Sequence, residues 1–210
     1  MVAPTSPRQA ELTLLHVPHP VLTNPSDITS VNHFPQEDSK LRATAVQHRR
    51  GGNCPNTLQV FRQLLLARHQ QQDANDDVKI HLVSPLPRAN SAATLEILSS
   101  FFGPDEIEYE PPGLTGTNTR GGITTSFRHC LYRDSHDEPA SSYIVRSSTT
   151  GSRTIINFNG LPEMTTAEFV SIADEITKEA DGDSGWWHFE VRNQVPWYER
   201  ERMASFACLD

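Results

Sequence analysis

Arg49-Arg50-Gly51-Gly52-Asn53-Cys54-Pro55-Asn56 runs straight into the apolar series Leu58, Phe61, Leu64 and Leu65, and the reading of this stretch sets the architecture. Two glycines permit a sharp turn and a close approach of a ligand to the backbone. Pro55 suits a first helical turn, where its missing N–H costs nothing, and the apolar spacing then predicts a helix to about residue 68. Asn53 and Asn56, three apart at the helix start, present their amides on one side, which suits a neutral, hydroxyl-rich ligand. An asparagine N-cap with an ordinary turn accounts for the same residues equally well.

Beyond that helix, Val78, Ile80 and Leu82 alternate with Lys79 and His81 in a strand pattern, and Leu95, Leu98 and Phe102 signal a helix over about residues 91–101. Before it, residues 12–17 are the one strand candidate in a proline-rich start. The order strand, helix, strand, helix argues for a mainly parallel sheet with helices packed on it. Residues 28–33 and 40–47 flank the polar turn Phe34-Pro35-Gln36-Glu37-Asp38-Ser39 and suggest a small hairpin or flap. Further strands are expected at 123–127, 142–146 and 153–158, the last two joined by the turn Ser148-Thr149-Thr150-Gly151-Ser152. Thr165-Thr166-Ala167-Glu168 has the form of a capping box, opening a helix that buries Phe169, Ile172 and Ile176. Trp186 to Val191 is read as another buried strand, and Pro196 as the start of a last helix. Residues 1–26 are accordingly read as an irregular N-terminal segment and 27–210 as the folded domain.

Composition narrows the function classes. Across 210 residues, Lys plus Arg is 18 against Asp plus Glu 26, a net charge of -8 that repels phosphate backbones and anionic membrane surfaces. Nucleic acid and membrane are therefore not expected partners. The N-terminus lacks the basic and apolar segments of a secretory leader, no glycosylation triplet occurs, and a cytoplasmic location is expected. Cys54, Cys130 and Cys208 are widely spaced, which gives neither a disulfide framework nor a structural zinc site. Cys54 at a helix start could be an activated thiol, although ordinary packing is the plainer reading.

The nine histidines do not group at ligand spacing: His16 and His19 are split by Val17-Pro18, and His129 and His136 lack a suitably spaced carboxylate, so no metal site is expected. The dinucleotide and phosphate-loop glycine patterns are absent, as is a nucleophile elbow. Arg153, in Gly151-Ser152-Arg153-Thr154, could grip a phosphate in two places or lie on a solvated face.

Five separated segments keep a common order: Phe34 to Arg42 around Pro35-Gln36-Glu37-Asp38; Arg50 to Asn56; Gly151-Ser152-Arg153-Thr154-Ile155; Gly160-Leu161-Pro162; and Trp187-His188-Phe189-Glu190-Val191-Arg192-Asn193. Over about residues 27–193 this series resembles the ketohexokinase-like branch of the ribokinase/PfkB family of carbohydrate kinases. The resemblance implies an α/β fold of three layers, with a mainly parallel central sheet, a small β lid, and the C-terminal part missing. It implies transfer of the ATP γ-phosphoryl group, with Mg, to a hydroxyl of a ketohexose such as fructose. It assigns sugar contacts to Asp27, Gly52, Asn53 and Asn56, a lid contact to Asp38 with a homodimer through the lid, and an ATP phosphate contact to Arg153.

Such transfer needs a base for the sugar hydroxyl and an anion hole for the phosphoryl group. The family supplies both in a GAGD motif, which does not occur in residues 1–210, so the base is expected beyond Asp210. A truncated kinase with little or no activity is the expectation. The alternative is a non-catalytic sugar-binding or dimerising module of the same descent.

Overall fold

The structure is a computed structural model that describes residues 10–15, 25–71, 77–102, 117–180 and 185–189. In chain order these form β1 (Ala10–Leu15), β2 (Pro25–Val31), β3 (Ala45–Arg50), α1 (Asn53–Gln71), β4 (Val78–Val83), β5 (Pro85–Pro87) and α2 (Ala92–Ser99). There follow β6 (Thr117–Arg120), β7 (Ile123–Ser126), β8 (Leu131–Arg133), β9 (Ser141–Ser147), β10 (Arg153–Phe158), α3 (Thr166–Glu179) and β11 (Gly185–Phe189).

The larger sheet has the order β11-β1-β4-β7-β6. Its first four strands are parallel, and β6 closes one edge by an antiparallel hairpin with β7. Gly121 and Gly122 turn that hairpin with φ of 55° and 75°, a region open to glycine at little cost. β1 falls inside the stretch read as irregular, yet parallel ladders to β11 on one side and β4 on the other make it an interior strand. The strand candidate read at residues 12–17 thus lies at 10–15, and pairing gives it its interior place.

Alternation along β4 builds the layers. Val78, Ile80 and Leu82 point to one face and pack with Leu58 of α1 and Ile97 and Leu98 of α2, with Phe101 and Phe127 completing the cluster. Val83 points to the other face and meets Phe169, Ile172, Ala173 and Ile176 of α3. Helices thus cover both faces, giving the three-layer α/β arrangement that the sequence led us to expect. Each fully buried aliphatic chain contributes about 1.5–3 kcal/mol from area removed from water, and Ile80, Leu82 and Leu58 are all fully buried. No helix among the described residues is long and apolar enough to cross a membrane.

A second sheet, β10-β9-β2-β3, forms the lid. β2 pairs antiparallel with β3 and parallel with β9, and β9 pairs antiparallel with β10. β5 and β8 add a short parallel pair; with β6 they are too brief for periodicity to reveal. One expectation needs correction. Trp186 is 59% exposed rather than buried, because β11 has a ladder partner on one side only among the described strands. Leu64 is 65% exposed, since the inward stripe of α1 runs through Cys54, Leu58, Phe61, Arg62 and Leu65. The helix expected near Pro196 lies outside the described residues.

The capping box forms as read: the Glu168 N–H donates to Thr165 Oγ1 at 3.2 Å and the Thr165 N–H donates to Glu168 Oε2 at 2.8 Å. Arg133 from β8 extends it, donating to both Glu168 oxygens at 2.6 and 3.2 Å and to the carbonyls of Pro162 and Glu163. The Arg133 hydrogen bonds, helped by the Thr165 N–H, hold the Glu168 carboxyl down from an ordinary 4.5 to about 2. On the same side of the sheet His129 is buried 5.4 Å from the His81 ring, with Glu175 and Glu179 at 3.7 and 3.6 Å from its nitrogens. Burial, reinforced by His81, pushes the His129 pKa below 6.5.

Leu82→Ala should lose about 2–5 kcal/mol of unfolding free energy, and Leu64→Ala less than about 0.5 kcal/mol, measured by urea denaturation. Equal losses would show that the core is misassigned. A depressed carboxyl stabilises the fold above its unfolded value and loses that contribution as pH falls through its folded one. The stability difference between the native chain and Glu168→Gln should therefore be full at pH 6 and shrink between 4.5 and about 2. His129 acts in the same direction higher up the scale, its contribution being lost as pH falls below 6.5.

Candidate functional site

β3 ends at Arg50 and the chain turns at Gly52, whose φ of 91° lies where a side chain is strained. The Gly52 carbonyl accepts the first helical hydrogen bond, from the Asn56 N–H at 3.2 Å. Asn53 and Asn56 therefore stand exposed on the first turn of α1, three residues apart, while Cys54 and Pro55 between them are buried. Burial settles the two readings of Cys54 in favour of packing.

Arg50 ties this turn to the body of the molecule. It donates to Gln59 Oε1 at 2.6 Å and, at the longer distance of 3.4 Å, to Asn56 Oδ1 and Ser100 Oγ. Its guanidinium carbon lies 4.0 Å from the centroid of the Phe101 ring, within cation–π range. Nε of Arg50 is buried and has no hydrogen-bond partner among the described residues. Burial lowers the guanidinium pKa to about 10, which still leaves it charged at neutral pH.

Beside Arg50 lies a cavity of about 450 Å³, walled by His48, Arg49 and Arg50 of β3, by the start and outer face of α2 from Ala92 to Ser100, and by Glu138-Pro139. The N-terminus of α2 is capped by Ser91, whose Oγ accepts from the Thr94 N–H at 3.1 Å. An ion pair between Arg88 and Asp137 and a hydrogen bond from the Arg88 N–H to the His136 carbonyl at 2.8 Å fix the opposite wall. The polar lining carries both charges, with Glu96 and Glu138 facing the β3 cations.

Asp27 on β2 sits directly across from His48 on β3, and its Oδ1 is 2.5 Å from His48 Nδ1. The pair brings Asp27 to a cavity-lining residue. Asp38 is on the exposed connection between β2 and β3, with φ of 59° in a turn where the Ser39 N–H and hydroxyl both donate to the Gln36 carbonyl. Aspartate tolerates this left-handed conformation better than most residues.

Arg153 stands apart. It opens β10 in one register row with Arg146 and Ser30, whereas Asp27 shares its row with Tyr143, Ile156 and His48. Rows three residues apart face opposite sides of a sheet, so Asp27 and Arg153 belong to opposite faces of the lid. Asp27 thus meets His48, and Asn56 meets Arg50, each a residue that lines the cavity, while Arg153 lies on the other face of the lid. The contribution of His48, Arg50 and α2 was not visible in the sequence. Arg50 lies 50 residues from Ser100 and His48 lies 21 from Asp27, so only the folded topology joins them.

No family model matches the chain, and no curated protein matches it in sequence. Solved structures do match. A ribokinase from Arabidopsis thaliana, complexed with ribose and ATP, is 13% identical with a TM-score of 0.55, covering 95% of this chain and 50% of that one. Phosphofructokinase-2 from Escherichia coli is 12% identical and covers 94% of this chain. Its complex with substrates and products gives a TM-score of 0.52 over 50% of that chain, and its complex with fructose-6-phosphate 0.51 over 51%. The chain spans about half the length of these sugar kinases, and the fold it carries over that span is ribokinase-like.

Proposed function

We propose that this chain is the sugar-binding, lid-bearing part of a carbohydrate kinase, with a ketohexose such as fructose as its substrate. The observation that carries the reading is the pair of exposed amides, Asn53 and Asn56, on the first turn of α1 behind a left-handed Gly52. Such donors and acceptors match sugar hydroxyls, which carry no charge to demand an arginine clamp. Asp27 adds a carboxylate acceptor at the base of the lid, and Asp38 is the lid residue offered to a sugar, with a second copy joined through the lid.

ATP and Mg, a phosphate contact by Arg153, and a cytoplasmic location enter this proposal only by likeness to the kinases. A bound nucleotide and metal would supply the phosphoryl group and neutralise its charge. Arg153 offers one cation on the lid face turned away from Asp27, which does not by itself fit a triphosphate. The same placement favours a second reading, a sugar-binding module without turnover.

Both readings are tested on the 210-residue chain. Calorimetric titration with D-fructose should show binding, and Asn53→Ala or Asn56→Ala should weaken it by about tenfold, the cost of about one lost hydrogen bond to a well-placed partner. Retained affinity in both variants would remove the amides from the site. In a coupled assay with MgATP and fructose, the chain should show no turnover above a protein-free control, and measurable phosphorylation would exclude a module without turnover.

A further inference from the structure

We propose that Arg50 is a positioning residue for Asn56, setting the direction in which that amide meets its ligand. This inference rests on the sugar-binding reading above and adds to it a residue that acts through another.

An exposed asparagine on a first helical turn has a soft terminal torsion, and its carbonyl and NH2 ends are nearly the same size. Left alone it offers either end to a ligand. Here Arg50 Nη2 meets Asn56 Oδ1 at 3.4 Å, a carbonyl-to-cation contact that the opposite amide orientation would turn into a clash of donors. The Asn56 NH2 group is thereby directed away from Arg50 and left to donate elsewhere.

The contact is useful only if Arg50 itself is fixed, and three groups, one on α1 and two just past the end of α2, fix it. Gln59, one turn along α1 from Asn56, takes the short 2.6 Å hydrogen bond from the same Nη2. Ser100 and Phe101, at the end of α2, hold the other edge and one face of the guanidinium. Lysine could place a charge there but could neither stack flat on Phe101 nor bridge Gln59 and Ser100. The same side chain lines the cavity, so the group that orients the Asn56 amide also stands on the cavity wall.

The test is a double-mutant cycle on D-fructose affinity in the full chain, using Arg50→Lys, Asn56→Ala and the double variant, with far-UV circular dichroism confirming the fold of each. Arg50→Lys alone should weaken binding by about tenfold, and by less than about twofold in the Asn56→Ala background, since coupled residues do not add. Equal losses in both backgrounds would overturn the proposal, because a structural role would be felt in either. If Arg50→Lys does not fold, Gln59→Leu releases the same guanidinium and should show the same non-additivity. If the native chain binds no fructose, the sugar reading fails, but this inference is still read from NMR. Arg50→Lys should then shift the Asn56 side-chain NH2 resonances more than those of Asn53, and unchanged Asn56 resonances would overturn it.

Discussion

Strand β4 is enclosed on every side: β1 and β7 take its backbone hydrogen bonds, and helices cover both of its faces. A parallel strand in this position forces its neighbours to arrive by crossovers, because no hairpin can join parallel strands. β2 and β3 of the lid, with α1, occupy the crossover from β1 to β4, and α2 lies on the way from β4 to β7. The cavity falls where β4 gives way to β5 and the start of α2, beyond the carboxyl end of the strand. Open α/β sheets place ligands in that region because loops diverge there and helix N-termini point towards it.

What the cavity can bind follows from how its charges are disposed. Arg50 is spent on Gln59, Asn56, Ser100 and the Phe101 ring, and Glu96 and Glu138 oppose the remaining cations. A lining balanced in this way does not select a strongly anionic group, whereas the His48 ring and the Ser100 hydroxyl add further donors and acceptors. The Asp27–His48 pair is largely exposed, so its value to stability is small and its effect is mainly on where the carboxylate points.

Local signals in the sequence translated well. The capping box at Thr165 and Glu168 is a contact between residues three apart, so spacing alone specifies it. The turn at Gly52 and the helix behind it are equally local, as is the alternation that made β4 a strand. What the sequence did not reveal was side-chain exposure set by neighbours distant in the chain. Trp186 reads as a core residue by type, yet its exposure is set by which strands flank β11. Leu64 is apolar but lies off the inward stripe that Cys54, Leu58 and Leu65 define. Asn53, Asn56 and Asp27 could be named as candidates from the sequence, while the Arg50 network required the end of α2 to be brought against the end of β3.

The lid sheet is unlike the rest of the molecule in what holds its sequence in place. Every residue of β10 is exposed, and on β3 only Arg50 is partly covered, while Ile155, Ile156, Phe158, Tyr143 and Val46 all present large apolar area to solvent. Substitutions at these positions leave the core packing around β4 untouched. The lid can therefore accept many sequences while the body stays fixed. Lid surface and core integrity are then separable traits, open to independent change by descent.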